Sequence, residues 1–164
     1  SALTTDQADL AVLEGRALRF RPGYAIFAAG PAADLARLPQ PEGGLMLMEA
    51  DPAALGSLPP SPRLGVQMVL KALTPGPDDL AVETLGDTDL EEMQRLARLT
   101  EPGPFFADTW RLGPFIGVWR EGRLIAMAGE RMRPAGFAEI SGVCTHPEAR
   151  GLGLASALIR LKAE

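Results

Sequence analysis

The stretch of this chain best equipped for chemistry is Val143-Cys144-Thr145-His146-Pro147-Glu148-Ala149-Arg150-Gly151-Leu152-Gly153-Leu154-Ala155-Ser156. A strand-like run ends at His-Pro, a short loop follows, and a Gly-x-Gly turn opens a helix rich in Ala and Leu. The first amides of a helix have no partner inside it, and the helix dipole adds partial positive charge at the same place. Glycines at 151 and 153 let a ligand approach the backbone closely. Arg150 sets a fixed cation beside them. Together these predict an anion site, most naturally for a pyrophosphate. A dinucleotide-binding turn needs Gly-x-Gly-x-x-Gly after a βαβ strand, yet Ser156 holds the last position and the preceding strands read as an antiparallel meander. A Walker loop needs Gly-Lys followed by Ser or Thr, a sequence this chain lacks.

The elements that must position this loop are clearest after residue 80. Ala81–Leu85 reads as a strand. Thr88-Asp-Leu-Glu91 fits a capping box, and Leu90, Met93, Leu96 and Ala97 then share one helical face. Glu101-Pro102-Gly103-Pro104 stops that helix, and Phe105 to Trp110 is an aromatic segment with room for one helical turn. Phe115–Arg120 and Arg123–Arg131 are strands joined by Glu121-Gly122, a hairpin signal. Phe137–Thr145 is the next strand, and Gly151–Ala163 is a helix apolar nearly all round, predicting deep burial. The first half is less regular. Thr4 to Leu13 reads as a short helix, Arg16–Phe20 and Tyr24–Ala28 as strands around Arg21-Pro22-Gly23, and Ala32–Leu38 as a helical turn or two. Leu45–Glu49 and Val66–Leu70 read as short buried strands. The proline runs at Leu58–Pro62 and Thr74–Pro77 break regular structure. The second places a boundary between residues 1–78 and 79–164.

Composition narrows the function classes. The chain has 164 residues, 46% of them hydrophobic, enough for a sizeable core. Its 16 basic and 21 acidic residues leave a net charge of −5, and no basic block marks a nucleic-acid or acidic-membrane footprint. Cys144 and His146 are the only residues of their types. A thiolate zinc cluster, a multi-histidine metal site and a disulfide framework are therefore all excluded. No apolar run reaches the roughly 18 residues of a membrane span, and the N-terminus lacks a signal-peptide pattern. The expectation is a cytoplasmic protein with no metal, no nucleic acid and no membrane partner.

The pattern Arg-x-x-Gly-x-Ala (Arg150, Gly153, Ala155), placed after a strand ending in His-Pro, resembles the acetyl-CoA loop of the GNAT superfamily of N-acetyltransferases. Met127-Ala-Gly-Glu-Arg-Met132, Glu139-Ile-Ser-Gly-Val-Cys-Thr-His-Pro147 and Arg150-Gly-Leu-Gly-Leu-Ala155 look like the glycine N-acyltransferase-like branch of it. The resemblance covers residues 80–164. It implies an α/β (α+β) fold, a mixed sheet with antiparallel central strands and flanking helices. It also implies acetyl-CoA as co-substrate and transfer of an acetyl group to a primary amine of a small molecule or amino acid by direct attack in a ternary complex. Residues 1–78 would be an N-terminal α/β extension that shapes the substrate site or a homodimer, or a degenerate copy of the same plan. The other function class is a non-catalytic CoA-binding or structural module that kept the loop and lost turnover.

Carried over residue by residue, the resemblance implies that Val143, Cys144 and Thr145 line the pantetheine arm. Arg150, Gly151, Leu152, Gly153, Leu154, Ala155 and Ser156 would surround the phosphates. The amide of Val143 would polarise the thioester carbonyl. Strand alternation puts Glu139, Ser141 and Val143 on one face, which makes Glu139 the first candidate for the general base and Glu130, on the adjacent strand, the second. Cys144 reads as a small residue beside the arm rather than an acyl carrier, His146 as a shaper of the loop, and Phe105, Phe106 and Trp110 as pocket wall or core. The family continues beyond the loop helix with a strand, a helix that often carries a tyrosine acid, and a hairpin. This sequence stops at Glu164, so those C-terminal elements are expected outside it and no general acid is assigned.

Overall fold

The computed structural model describes residues 2–39, 44–48, 56, 66–76 and 80–163. The first half is built on a three-stranded antiparallel sheet: β1 (Ala11–Glu14), β2 (Ala17–Phe20) and β3 (Ala28–Ala29), followed by the single-turn α1 (Ala32–Leu35). The helix predicted over Thr4–Leu13 does not form. Two 3-10 turns, Ala2–Thr4 and Ala8–Leu10, lead directly into β1. Pairing of Ala11–Glu14 with Ala17–Phe20 in register satisfies that backbone through tertiary contacts and overrides a weak local helical preference. Leu45–Glu49 supplies one parallel bridge, Phe27 to Met46, in place of a strand, and Glu49 lies outside the described residues. Val66–Leu70 is neither strand nor buried; Val66 is 88% and Met68 87% exposed. The Leu58–Pro62 break also lies outside the described residues.

The second half is a four-stranded antiparallel sheet in the order β4 (Glu83–Leu85), β5 (Phe115–Arg120), β6 (Arg123–Glu130), β7 (Ile140–Thr145), with α2 (Leu90–Thr100) and α3 (Leu154–Ala163) against it. Helix α2 packs Met93, Leu96 and Ala97 on a core of Leu85, Phe115, Leu124, Met127 and Cys144. Its start differs from the predicted box at Thr88. A 3-10 turn over Asp87–Asp89 precedes it, and the Asp89 carboxylate accepts the Gly86 amide at 2.8 Å. The stop at Glu101 is as read, in left-handed conformation before Pro102. Helix α3 packs Leu154 and Leu158 on Val118, Ala126 and Ala128 on the other side. It is only partly buried, since Ile159 is 41% exposed.

The halves are stitched together by polar groups near the end of β6. Gln7, 2% exposed, donates through Nε2 to the carbonyls of Leu112 (2.9 Å) and Arg131 (2.6 Å) and accepts the Arg133 amide at 3.1 Å. Thr109 donates to the Tyr24 carbonyl at 2.8 Å, and the Asp108 amide donates to the Gly23 carbonyl at 2.9 Å. Both halves therefore border the open end of the second sheet.

Candidate active site

The loop after β7 is shaped one residue at a time. The His146 amide donates to the Ile125 carbonyl at 2.7 Å, extending the β6–β7 ladder by one rung. Its Nδ1 then accepts the Glu148 amide at 3.3 Å, capping a 3-10 turn over Pro147–Ala149. Ala149 is buried and Arg150 is exposed. Gly151 and Gly153 follow at φ 81° and 76°, values that L side chains rarely adopt. That is why α3 starts at Leu154 rather than at the predicted Gly151. At both glycines the space a Cβ would fill is open for 4 Å. The Ala157 amide is the first to bond back, to the Gly153 carbonyl at 3.0 Å, while the amides from Gly151 to Ser156 find no acceptor among the described residues. Buried Leu154 pins the helix start to the sheet. The result is a row of free amides at a dipole's positive end, over open space, with Arg150 alongside.

The strand feeding this loop is bulged. Cys144 pairs with Met127 and Ser141 with Gly129, so Gly142 and Val143 together oppose Ala128. Gly142 absorbs the extra residue at φ 62°. The bulge overturns the predicted alternation. Ser141 stays on the α2 face, whereas Val143 is switched to the α3 face and packs with Ala126, Ala128 and Leu154. A one-residue shift of this kind cannot be read from a period of two. Among the described residues β7 is paired only through β6, so the outer edge of Val143–Thr145 offers unpaired backbone groups. The Thr145 Oγ1 is buried without a hydrogen-bond partner among the described residues. The Cys144 side chain points instead into the core under α2. Burial pushes its thiol pKa up, with the Thr100 hydroxyl offsetting part of the rise.

The two candidate carboxylates lie on opposite faces. Glu139 donates its amide to the Met132 carbonyl at 2.8 Å and accepts the Arg131 amide through its own carbonyl at 3.0 Å, so it continues the ladder on the Ser141 side. Its carboxylate is engaged by Arg131 Nε at 3.0 Å and Nη2 at 2.6 Å. Glu130 is directed under α3, 2.6 Å from Lys162 Nζ, both side chains about a tenth exposed, with Arg133 at 3.4 Å. The structure therefore does not bring the two candidates together. On the Glu139 side, Pro102, Gly103, Pro104, Phe105, Thr109, Phe115, Arg131, Ser141 and Gly142 line a narrow cleft under the bulge. Phe115 lies across Gly142, with Phe105 edge-on to it at 5.8 Å. Arg131 and Ser141 were not singled out as site residues from sequence. The signal was the even spacing from Arg131 through Gly129 on one strand face, which needed the register of β7 to become informative.

The residues 80–162 match the model of the acetyltransferase (GNAT) family. A protein from Novosphingobium aromaticivorans assigned to that family shares 40% identity over 98% of this chain and 75% of its own, with a TM-score of 0.75. The chain belongs to the GNAT acetyltransferase family. The ribosomal-protein-S18-alanine N-acetyltransferase of Escherichia coli aligns over 50% of this GNAT chain and 56% of its own at 17% identity and a TM-score of 0.43. A ribosomal-protein-alanine N-acetyltransferase from Brucella melitensis aligns over 51% and 69% at 24% and 0.42. No curated protein matches. GNAT acetyltransferases use acetyl-CoA as co-substrate. The uncapped amides and open glycine positions of this one fit a diphosphate, and the edge of β7, unpaired among the described residues, fits a strand-like arm. Among the described residues no His, Cys, Asp and Glu side chains cluster as a metal site, and no helix is long and apolar enough to cross a membrane.

Proposed function

We propose that this GNAT protein transfers an acetyl group from acetyl-CoA to the primary amine of a small molecule or amino acid, by direct attack in a ternary complex. The observation that carries the reading is the row of free amides from Gly151 to Ser156 over open glycine positions, at the end of a bulged strand. In this reading Arg150, Gly151, Leu152, Gly153, Leu154, Ala155 and Ser156 surround the diphosphate, and the edge of Val143, Cys144 and Thr145 pairs with the pantetheine as an added strand would. In the same reading the Val143 amide polarises the thioester carbonyl, where a preset donor stabilises the developing oxyanion. The amine nitrogen bonds to the carbonyl carbon, the C–S bond breaks, and CoA leaves as its thiolate. Glu139 takes the amine proton through water: each of its oxygens keeps a lone pair free of Arg131. Glu130, held under α3 by Lys162, ranks behind it. The segments 127–132, 139–147 and 150–155 support placement near the glycine N-acyltransferase-like branch.

The test is free-thiol release with acetyl-CoA and a panel of amines, alongside calorimetric CoA binding. The proposal expects binding and turnover, with Glu139→Gln slowing turnover while CoA affinity holds. CoA binding without turnover on any amine favours the non-catalytic module. Absence of CoA binding overturns the loop assignment.

A further inference from the structure

Arg131 is the cation that the fold prepares on the acceptor side of the bulge and leaves partly unspent. Its guanidinium lies 4.4 Å over the Phe27 ring, and its backbone carbonyl is held by Gln7 at 2.6 Å. Glu139 grips the Nε–Nη2 edge. A guanidinium has five N–H donors in a planar fork, so that grip fixes direction without exhausting them. The Nη1–Nη2 end has no acceptor among the described residues and is not sealed in the interior: Arg131 lines the cleft with Ser141, Gly142 and Phe105. The Ser141 hydroxyl is likewise without a partner among the described residues, whereas the Thr109 hydroxyl is spent on the Tyr24 carbonyl and the Phe106 amide. Pro102, Pro104 and Phe105 supply an apolar wall opposite. A planar donor pair, oriented from behind and facing a cleft, matches a carboxylate bidentately.

The geometry points to Arg131 as the anchor for a carboxylate on the acceptor, so that the amine belongs to an amino acid rather than a simple alkylamine. The inference rests on the acetyl-transfer reading for its chemistry, and on Arg131 alone for its specificity. An α-amino acid held this way sets its amine beside Gly142 and within the field of Glu139. Residues from both halves then contribute to the anchor. Phe27 and Gln7 fix the cation, and the second sheet presents it.

The experiment pairs glycine with methylamine and phenylalanine with phenethylamine, at a pH where the amines react. Binding is followed by saturation-transfer NMR on the full chain with CoA present, and turnover by thiol release. The carboxylated member of each pair is expected to bind and react better by on the order of 10- to 100-fold. Arg131→Gln is expected to erase that preference in binding and in the KM ratio of each pair, whatever its effect on kcat through Glu139, and Arg131→Lys to restore part of it. Because Arg131→Gln leaves Glu139 unpaired, the double variant Arg131→Gln/Glu139→Gln provides a neutral second case whose melting curve checks the fold and whose binding should show no carboxylate preference. Equal binding of both members by the wild type, or a preference that survives both variants, overturns the anchor even if acetyl transfer is observed. Carboxylate-selective binding lost with Arg131 but without turnover sustains the anchor and overturns the enzymatic reading instead.

Discussion

Replacing Gly153 by alanine separates what the loop costs the fold from what it offers a ligand. At φ 76° with nothing within 4 Å of a new Cβ, the substitution meets no clash. Its cost is the left-handed backbone itself, about 1–2 kcal/mol. At this chain length each kcal/mol moves the melting temperature by about 2–4 °C, so a drop of about 2–8 °C is expected. Gly136 is a built-in control. It sits at φ 78° with equally open space, in the Pro134–Phe137 turn away from the loop, and Gly136→Ala should lower the melting temperature by a similar amount. The two should differ only toward CoA. In the proposed reading a phosphate fills the open space that a Cβ at 153 would enter, and loss of one hydrogen bond to a charged phosphate is worth about 1.5–3 kcal/mol. CoA affinity measured by calorimetry should fall at least about tenfold in Gly153→Ala and stay unchanged in Gly136→Ala. Wild-type affinity in Gly153→Ala, or equal losses in both, would refute the assignment of the anion site.

Gln7→Leu should lower stability by about 2–4 kcal/mol, because it strands the Leu112 and Arg131 carbonyls and the Arg133 amide in a buried seam; chemical denaturation reads the change, and a loss under about 1 kcal/mol would deny that Gln7 joins the halves. Glu92 holds the Leu124 amide at 3.0 Å and Arg95 at 2.7 Å, and the Arg95 hydrogen bond leads the causes that keep its carboxyl below the usual pKa, against a burial penalty. A lowered folded pKa stabilises above the ordinary glutamate range and is lost as pH falls through it, so Glu92→Gln should be less stable by about 1–2 kcal/mol at neutral pH and the gap should close in acid. Cys144, buried and with its thiol pKa raised, should resist iodoacetamide in the native state at neutral pH and react only on unfolding, and Cys144→Ala should keep turnover; rapid native labelling or lost turnover would reopen a covalent route.

Local patterns carried far in the second half of the chain. The apolar face of α2, the Glu121-Gly122 hairpin and the Gly-x-Gly turn after His-Pro all depend on contacts within a few residues, and each stands where the sequence reading placed it. The first half resisted because its order comes from pairings that composition does not announce. Ala11–Glu14 becomes a strand by meeting Ala17–Phe20, and Val66–Leu70 has a buried strand's composition but lies exposed. The cap at Thr88 failed for a narrower reason: Asp89, one residue on, reaches the Gly86 amide and starts the turn earlier.

What the residues alone determined is the Gly-x-Gly turn and helix start at 151–154, with Arg150 beside it, on which the proposed anion site rests. What only the tertiary structure decided is which side chains share a face of the sheet. A single extra residue at Gly142–Val143 switches the face of everything beyond it, separating Val143 from Ser141. The register of β6 against β7 places Arg131 at the cleft with Glu139 paired to it, while committing Glu130 to Lys162 beneath α3. Facing is a property of two strands and a helix together, so no period within one strand contains it.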